Sequence, residues 1–193
     1  MWTNKEKDGI GAGPRALEGI RLRSSRNSGK VKCERDWHWK VPSMRDYDLW
    51  FVASGRGTIA VNGEAMPAEG GTCFLLRPGD AVSAAHDPDN RLTVLFVHFA
   101  CEGANPDEDR DPLAEWPRRV AADDAVWLEQ LLSRLLALDE DQPSDAGDAE
   151  FDALLRAALL LMARDGSPGG REERMPAAVR TVIRAMREHA SAP

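Results

Sequence analysis

The chain has 193 residues, enough for one good core or a core with a helical appendage and too few for two full domains. Hydrophobic residues make up 42% and charged residues 30%, a soluble globular balance that excludes a disordered or membrane-spanning chain. A formal charge of -7 argues against a general nucleic-acid binder, because phosphate affinity comes mainly from Lys and Arg. Taken in order, residues 1–19 mix Gly, Pro and charge without a period and are expected to form a flexible N-terminal arm. Ile20 to Arg23 alternates as a first edge strand, and Glu34 to Lys40 alternates with Trp37 and Trp39 on one face and Asp36, His38 and Lys40 on the other.

The run from Tyr47 to Phe99 organises the rest. Asp48-Leu49-Trp50-Phe51-Val52 reads as a strand buried on both faces, closed by Gly55 and Gly57. Thr58-Ile59-Ala60-Val61 is a second strand, and Asn62-Gly63 supplies the two positive-φ positions of a type I′ hairpin turn. Thr72 to Leu76 leads into the Pro78-Gly79 turn, and the last strand, residues 92–100, ends in Val97-His98-Phe99. Short strands at near-regular spacing predict an antiparallel barrel or sandwich.

From Asp123 the period changes to that of a helix: Leu128, Leu131, Leu132, Leu135 and Leu138 form one stripe. After a break at residues 142–147, a second helix from about Asp148 to Arg164 repeats it with Phe151, Leu154, Leu155, Ala158, Leu159 and Met162, predicting an antiparallel helical hairpin. Residues 166–170 read as a linker, and residues 175–188 as a third helix whose apolar face nothing later in the sequence covers. The N-terminus lacks the apolar segment of a secretion signal, and three unpaired cysteines, Cys33, Cys73 and Cys101, fit reduced thiols in the cytoplasm.

With these residues in view, the chain resembles the sensor domain of AraC/XylS-type bacterial transcription regulators. The resemblance is carried by Tyr47 to Gly57, the Asn62-Gly63 hairpin, the Pro78-Gly79 turn and Val97-His98-Phe99, in order and at the family's spacing. It implies an α+β fold: a cupin-like β-barrel over residues 20–101 that holds an effector, an arm over residues 1–19, and an acidic loop with a dimerising helical hairpin over residues 102–165. Residues 166–193 would be a linker and the first helix of a DNA-binding domain whose helix-turn-helix units lie outside these residues. The implied partners are a small-molecule effector, a second copy of the chain, and DNA through that further domain, with no membrane.

Cupin enzymes hold metal through clustered histidines, and the spacing here does not supply them: His38 is followed by Trp39-Lys40, and Val82 stands where the second motif often has histidine. No catalytic residue, metal ligand or cofactor is therefore expected, and the rival reading is a stand-alone metal-dependent cupin isomerase or dioxygenase. The resemblance places Lys40 at a cationic sugar contact and Phe96 at an aromatic stacking position. Ala84 and Val94 are apolar where sugar-binding relatives carry polar contacts. If Asp36, His38 and Lys40 share the lumen with Phe96 and His98, the ligand-binding set is His38, Lys40, Trp50, Phe96 and His98, for a small polar metabolite such as a sugar.

Overall fold

The computed structural model describes residues 17–103 and 111–166. The expected arm up to residue 16, most of the acidic loop, and the expected linker and third helix after residue 166 lie outside the described residues. Among the described residues nine strands and two helices follow in order. The strands are β1 (Arg21–Lys32), β2 (His38–Val41), β3 (Tyr47–Ser54), β4 (Arg56–Val61), β5 (Glu64–Glu69), β6 (Thr72–Leu76), β7 (Val82–His86), β8 (Thr93–Glu102) and β9 (Arg119–Ala121). The helices are α1 (Ala125–Glu140) and α2 (Asp145–Gly166).

The strands form two antiparallel sheets, β1-β8-β3-β6-β9 and β2-β7-β4-β5. Without β9, this interleaved four-on-four order is that of a double-stranded β-helix, the cupin-like jelly roll. Side-chain alternation then sorts the core into two layers. Trp50, Val52, Phe74, Leu76 and Val94 of the five-stranded sheet meet Ile59, Val61, Ala68, Val82 and Ala84 of the other across the interior. The opposite face of the five-stranded sheet, with Leu49, Phe51, Leu75, Leu95, Val97 and Phe99, packs on the helical hairpin. β3 is consequently buried on both faces, as its apolar run indicates.

Local chemistry explains the turns and helix ends. Asn62 at φ 53° and Gly63 at φ 87° build the two-residue hairpin turn between β4 and β5. Asp124 caps α1 by accepting from the Trp127 amide, and the five leucines of its stripe are all buried. On α2, Phe151, Leu155, Ala158, Leu159 and Met162 are buried in register with them. Arg134 ties the two helices through a forked bond to Glu150, at 2.7 and 3.0 Å.

The first strand is longer than its sequence pattern indicates. Its pairing with β8 shifts register between Ser24 and Ser28, and Arg26 takes φ 55° within that bulge. β1 is also fastened to the hairpin by Lys30 to Glu129, Arg23 to Asp148, and Asp152 accepting the Leu22 amide.

Candidate ligand-binding site

Two regions are candidates, and their electrostatics separate them. A groove of about 570 Å³ lies between β1 and α2, lined by Ile20, Arg21, Arg23, Asp145, Asp148 and Asp152 among others. Its main polar groups are already satisfied. Arg23 bonds Glu102 and Asp148, and Asp152 bonds Arg156 and the Leu22 amide. The groove is the seam along which hairpin and sheet are joined.

The interior between the sheets is different. Trp39 on edge strand β2 stacks on Trp50 of β3, with ring centroids 6.3 Å apart and planes 16° from parallel. Trp50 also meets Phe74 edge-on. Phe96 of β8 lies over Gly29, where a Cβ would come within 2.9 Å of the ring, so glycine is what lets the ring lie there. Trp37, Trp39 and Phe96 are only partly buried against this layer, which is bordered by the edge strands β1 and β2.

At one end of the aromatic layer stands a polar cluster. Asp48 and His98 are direct partners in the β3–β8 ladder and point into the interior. His98 Nδ1 lies 2.8 Å from Asp46 Oδ1, and its Nε2 lies 3.6 Å from Asp48 Oδ2. The first contact is a hydrogen bond, the second a looser electrostatic one. Asp48 is 1% exposed, and neither of its carboxylate oxygens has a hydrogen-bond partner. Burial pushes its pKa up to about 6, against the lowering pull of His98 and of the Val97 backbone amide. Above this end the Met44 backbone pairs with Gly79 and Asp80, closing the β2–β3 loop onto the Pro78-Gly79 turn.

The residues singled out in the sequence separate accordingly. Trp50, Phe96 and His98 are brought together on the interior face. His38 and Lys40 are exposed, and the expectation that they face the interior with Asp36 is corrected: the burial of β2 is reversed, with the tryptophans inward. The physical reason is that one face of an edge strand must cover the apolar layer, and the two indoles bury far more apolar surface than His and Lys. Trp37 and Trp39 accordingly pack on this interior layer, not on the helices. Asp46 and Asp48 were missed. The available signal was a single carboxylate inside the otherwise apolar run of β3, a placement that carries a desolvation cost.

Nucleophile chemistry finds little support in the cysteines. Burial pushes the Cys73 thiol far up and that of Cys101 up to about 12, leaving both protonated at neutral pH. Among the described residues no group of three His, Cys, Asp or Glu side chains is placed to hold a metal ion. No helix among them is long and apolar enough to cross a membrane.

Comparison with known proteins identifies the class. A family model described as "AraC-like ligand binding domain" matches residues 32–179, more than half of the chain. The chain therefore belongs to the family of AraC-like ligand-binding domains, effector-sensing parts of transcription regulators, built here on a cupin-like fold. No curated protein sequence matches it.

Among solved structures, ToxT K231A from Vibrio cholerae is similar at 10% identity and a TM-score of 0.39, covering 72% of this chain and 52% of ToxT. Ethanolamine utilization protein q from Salmonella typhimurium is similar at 15% identity and a TM-score of 0.30, covering 45% of this chain. A cupin protein from Bacteroides fragilis is similar at 13% identity and a TM-score of 0.28, covering 48% of this chain and 69% of that one. The chain spans about 60% of the length of the Salmonella protein.

Proposed function

We propose that this chain binds a small-molecule effector between its two sheets and passes the binding event through β1 to the helical hairpin. The hairpin acts as a homodimerisation element, and the bound state controls DNA binding by a helix-turn-helix domain of the same regulator. The observation that carries the reading is the interior itself: an aromatic layer whose Trp39 and Phe96 are only partly buried, ending in the orphaned Asp48 carboxylate, inside a domain of a ligand-binding family. Trp50, Phe96 and His98 are the proposed contacts from the original set, joined by Trp39 and Asp48. His38 and Lys40 stand on the outer face of β2 and are left out of it.

The protein performs no chemistry in this account. Effector binding favours one of two arrangements of the hairpin, and only differential affinity for the two shifts their balance. On the hairpin, Trp127 is 48% exposed and Val126 68% exposed, and Leu154, Leu160 and Leu161 are only partly buried. These apolar side chains are suited to a two-fold contact with a second copy. The cytoplasm is the proposed compartment.

The test is a thermal-shift screen of the chain against amines, polyols and carboxylic acids. A compound that raises the melting temperature and alters tryptophan emission supports the reading, and a panel without any binder contradicts it.

A further inference from the structure

Asp48 asks for a donor that the fold does not supply. Buried polar groups are ordinarily hydrogen-bonded, and a carboxylate 1% exposed with two orphaned oxygens marks a place where a donor arrives from outside. The neighbouring imidazole sharpens the requirement. His98 Nδ1 carries its proton toward Asp46 at 2.8 Å, so in the neutral ring Nε2 is a bare acceptor facing Asp48 Oδ2 at 3.6 Å. Two acceptors at that separation are bridged by a single group with several N–H donors.

The charge around the cluster selects the kind of donor. Asp48 of β3, His98 of β8 and Asp46 of the β2–β3 loop carry a net negative charge whether His98 is neutral or protonated, while the cationic side chains of β2 point outward. Beside them stand the stacked Trp39 and Trp50 and the Phe96 ring, whose edge-on contact with His98 spans 6.1 Å. Aromatic faces attract cations. An anion would meet like charge here, and a neutral polyol would gain hydrogen bonds without that attraction. The cluster is not sealed: the His98 side chain is 13% and that of Asp46 23% exposed.

We propose that the ligand is a small organic cation: a primary ammonium or amidinium group on a short, flat apolar body. Its N–H groups are taken by Asp48 and His98 Nε2, and its body lies against Trp39, Trp50 and Phe96. The inference rests on the preceding reading that a ligand enters between the sheets.

The experiment titrates the full 193-residue chain with phenethylamine, 2-phenylethanol and phenylacetate by calorimetry, three probes that share a phenyl ring and differ in the charge and hydrogen-bonding of the head group. The expected result is binding of phenethylamine about tenfold or more tighter than either other probe. Asp48→Asn is expected to weaken phenethylamine about tenfold without lowering the melting temperature. Trp39→Leu, on an edge strand, is expected to weaken it several-fold. Equal or tighter binding of the alcohol or the acid, no binding by any of the three, or an unchanged amine affinity in Asp48→Asn overturns the proposal. The ranking of the three probes needs no variant, so it decides the matter even if Asp48→Asn fails to fold. A polyol or carboxylate that binds between the sheets while amines do not overturns the cationic class and leaves the sensor reading standing; a panel without any binder fells both.

Discussion

Arg26 Nη1 lies 3.0 Å from the carbonyl oxygen of Asp139, so a side chain from a strand bulge caps the end of a helix. The same nitrogen reaches the carbonyls of Leu138 at 3.3 Å and Asp141 at 3.0 Å, and the Ser24 hydroxyl bonds the Asp139 carboxylate. A cation on orphaned C-terminal carbonyls is favourable both as a donor and against the helix dipole. The side chain is 37% exposed, so Arg26→Ala is expected to cost only about 1 kcal/mol. Arg26→Gly loses the same bonds but relieves the φ of 55°, and its net effect is expected to be about 1 kcal/mol milder. Urea unfolding of the two variants checks the order, and equal losses would show that the bulge carries no strain.

Asp48 predicts a pH signature. Its folded pKa of about 6 stands above the ordinary aspartate value of 3.8, so between those values the folded state holds the proton and the unfolded state does not. Its contribution to stability therefore falls as pH rises from about 4 to about 6 and is flat above. Asp48→Asn removes that slope. Melting temperatures across the range are expected to show the variant gaining on the parent up to about pH 6, then keeping a constant lead. A gap independent of pH would mean that the carboxylate ionises as freely in the folded chain as in the unfolded one.

Two glycines with similar φ separate crowding from backbone strain. Gly55 has φ 91°, and a Cβ there would lie 2.2 Å from the Arg91 carbonyl oxygen; Gly79 has φ 87°, with nothing within 4 Å. Gly79→Ala is expected to cost about 1–2 kcal/mol from conformation alone. Gly55→Ala must also push backbone apart and is expected to lose more than about 3 kcal/mol. Chemical denaturation of both variants checks the difference, and similar losses would contradict the close approach of the β3–β4 turn to Arg91.

What could be read from the sequence followed from period and turn chemistry. The two helical stripes, the Asn62-Gly63 hairpin and the doubly buried β3 stand where their patterns place them, because burial at 3.6 or two-residue spacing leaves a local signature. β7 was missed because Val82-Ser83-Ala84-Ala85-His86 has one β-branched residue and little bulk, and β9 because three residues carry no period. The length of β1 was hidden by its bulge, which breaks the alternation near Arg26. On β2 the alternation was legible but its direction was misassigned. The Asp48–His98 pair depends on the β3–β8 register, which no local pattern specifies.

If the hairpin is a dimer contact, its exposed aromatic should matter. Trp127, 48% exposed near the start of α1, is expected to bury on association. Trp127→Ala is expected to weaken the dimer about tenfold or more in sedimentation equilibrium while leaving the melting temperature of the monomer nearly unchanged. A chain that sediments as a monomer at high concentration would contradict the contact.

The most direct test of the central claim is a crystal structure of the chain with the tightest binder from the thermal-shift panel. The account requires density for the intact compound between the sheets, against Trp39, Trp50 and Phe96 and within hydrogen-bonding distance of Asp48 or His98. Density confined to the groove between β1 and α2, or a product of the compound in place of the compound itself, would contradict it.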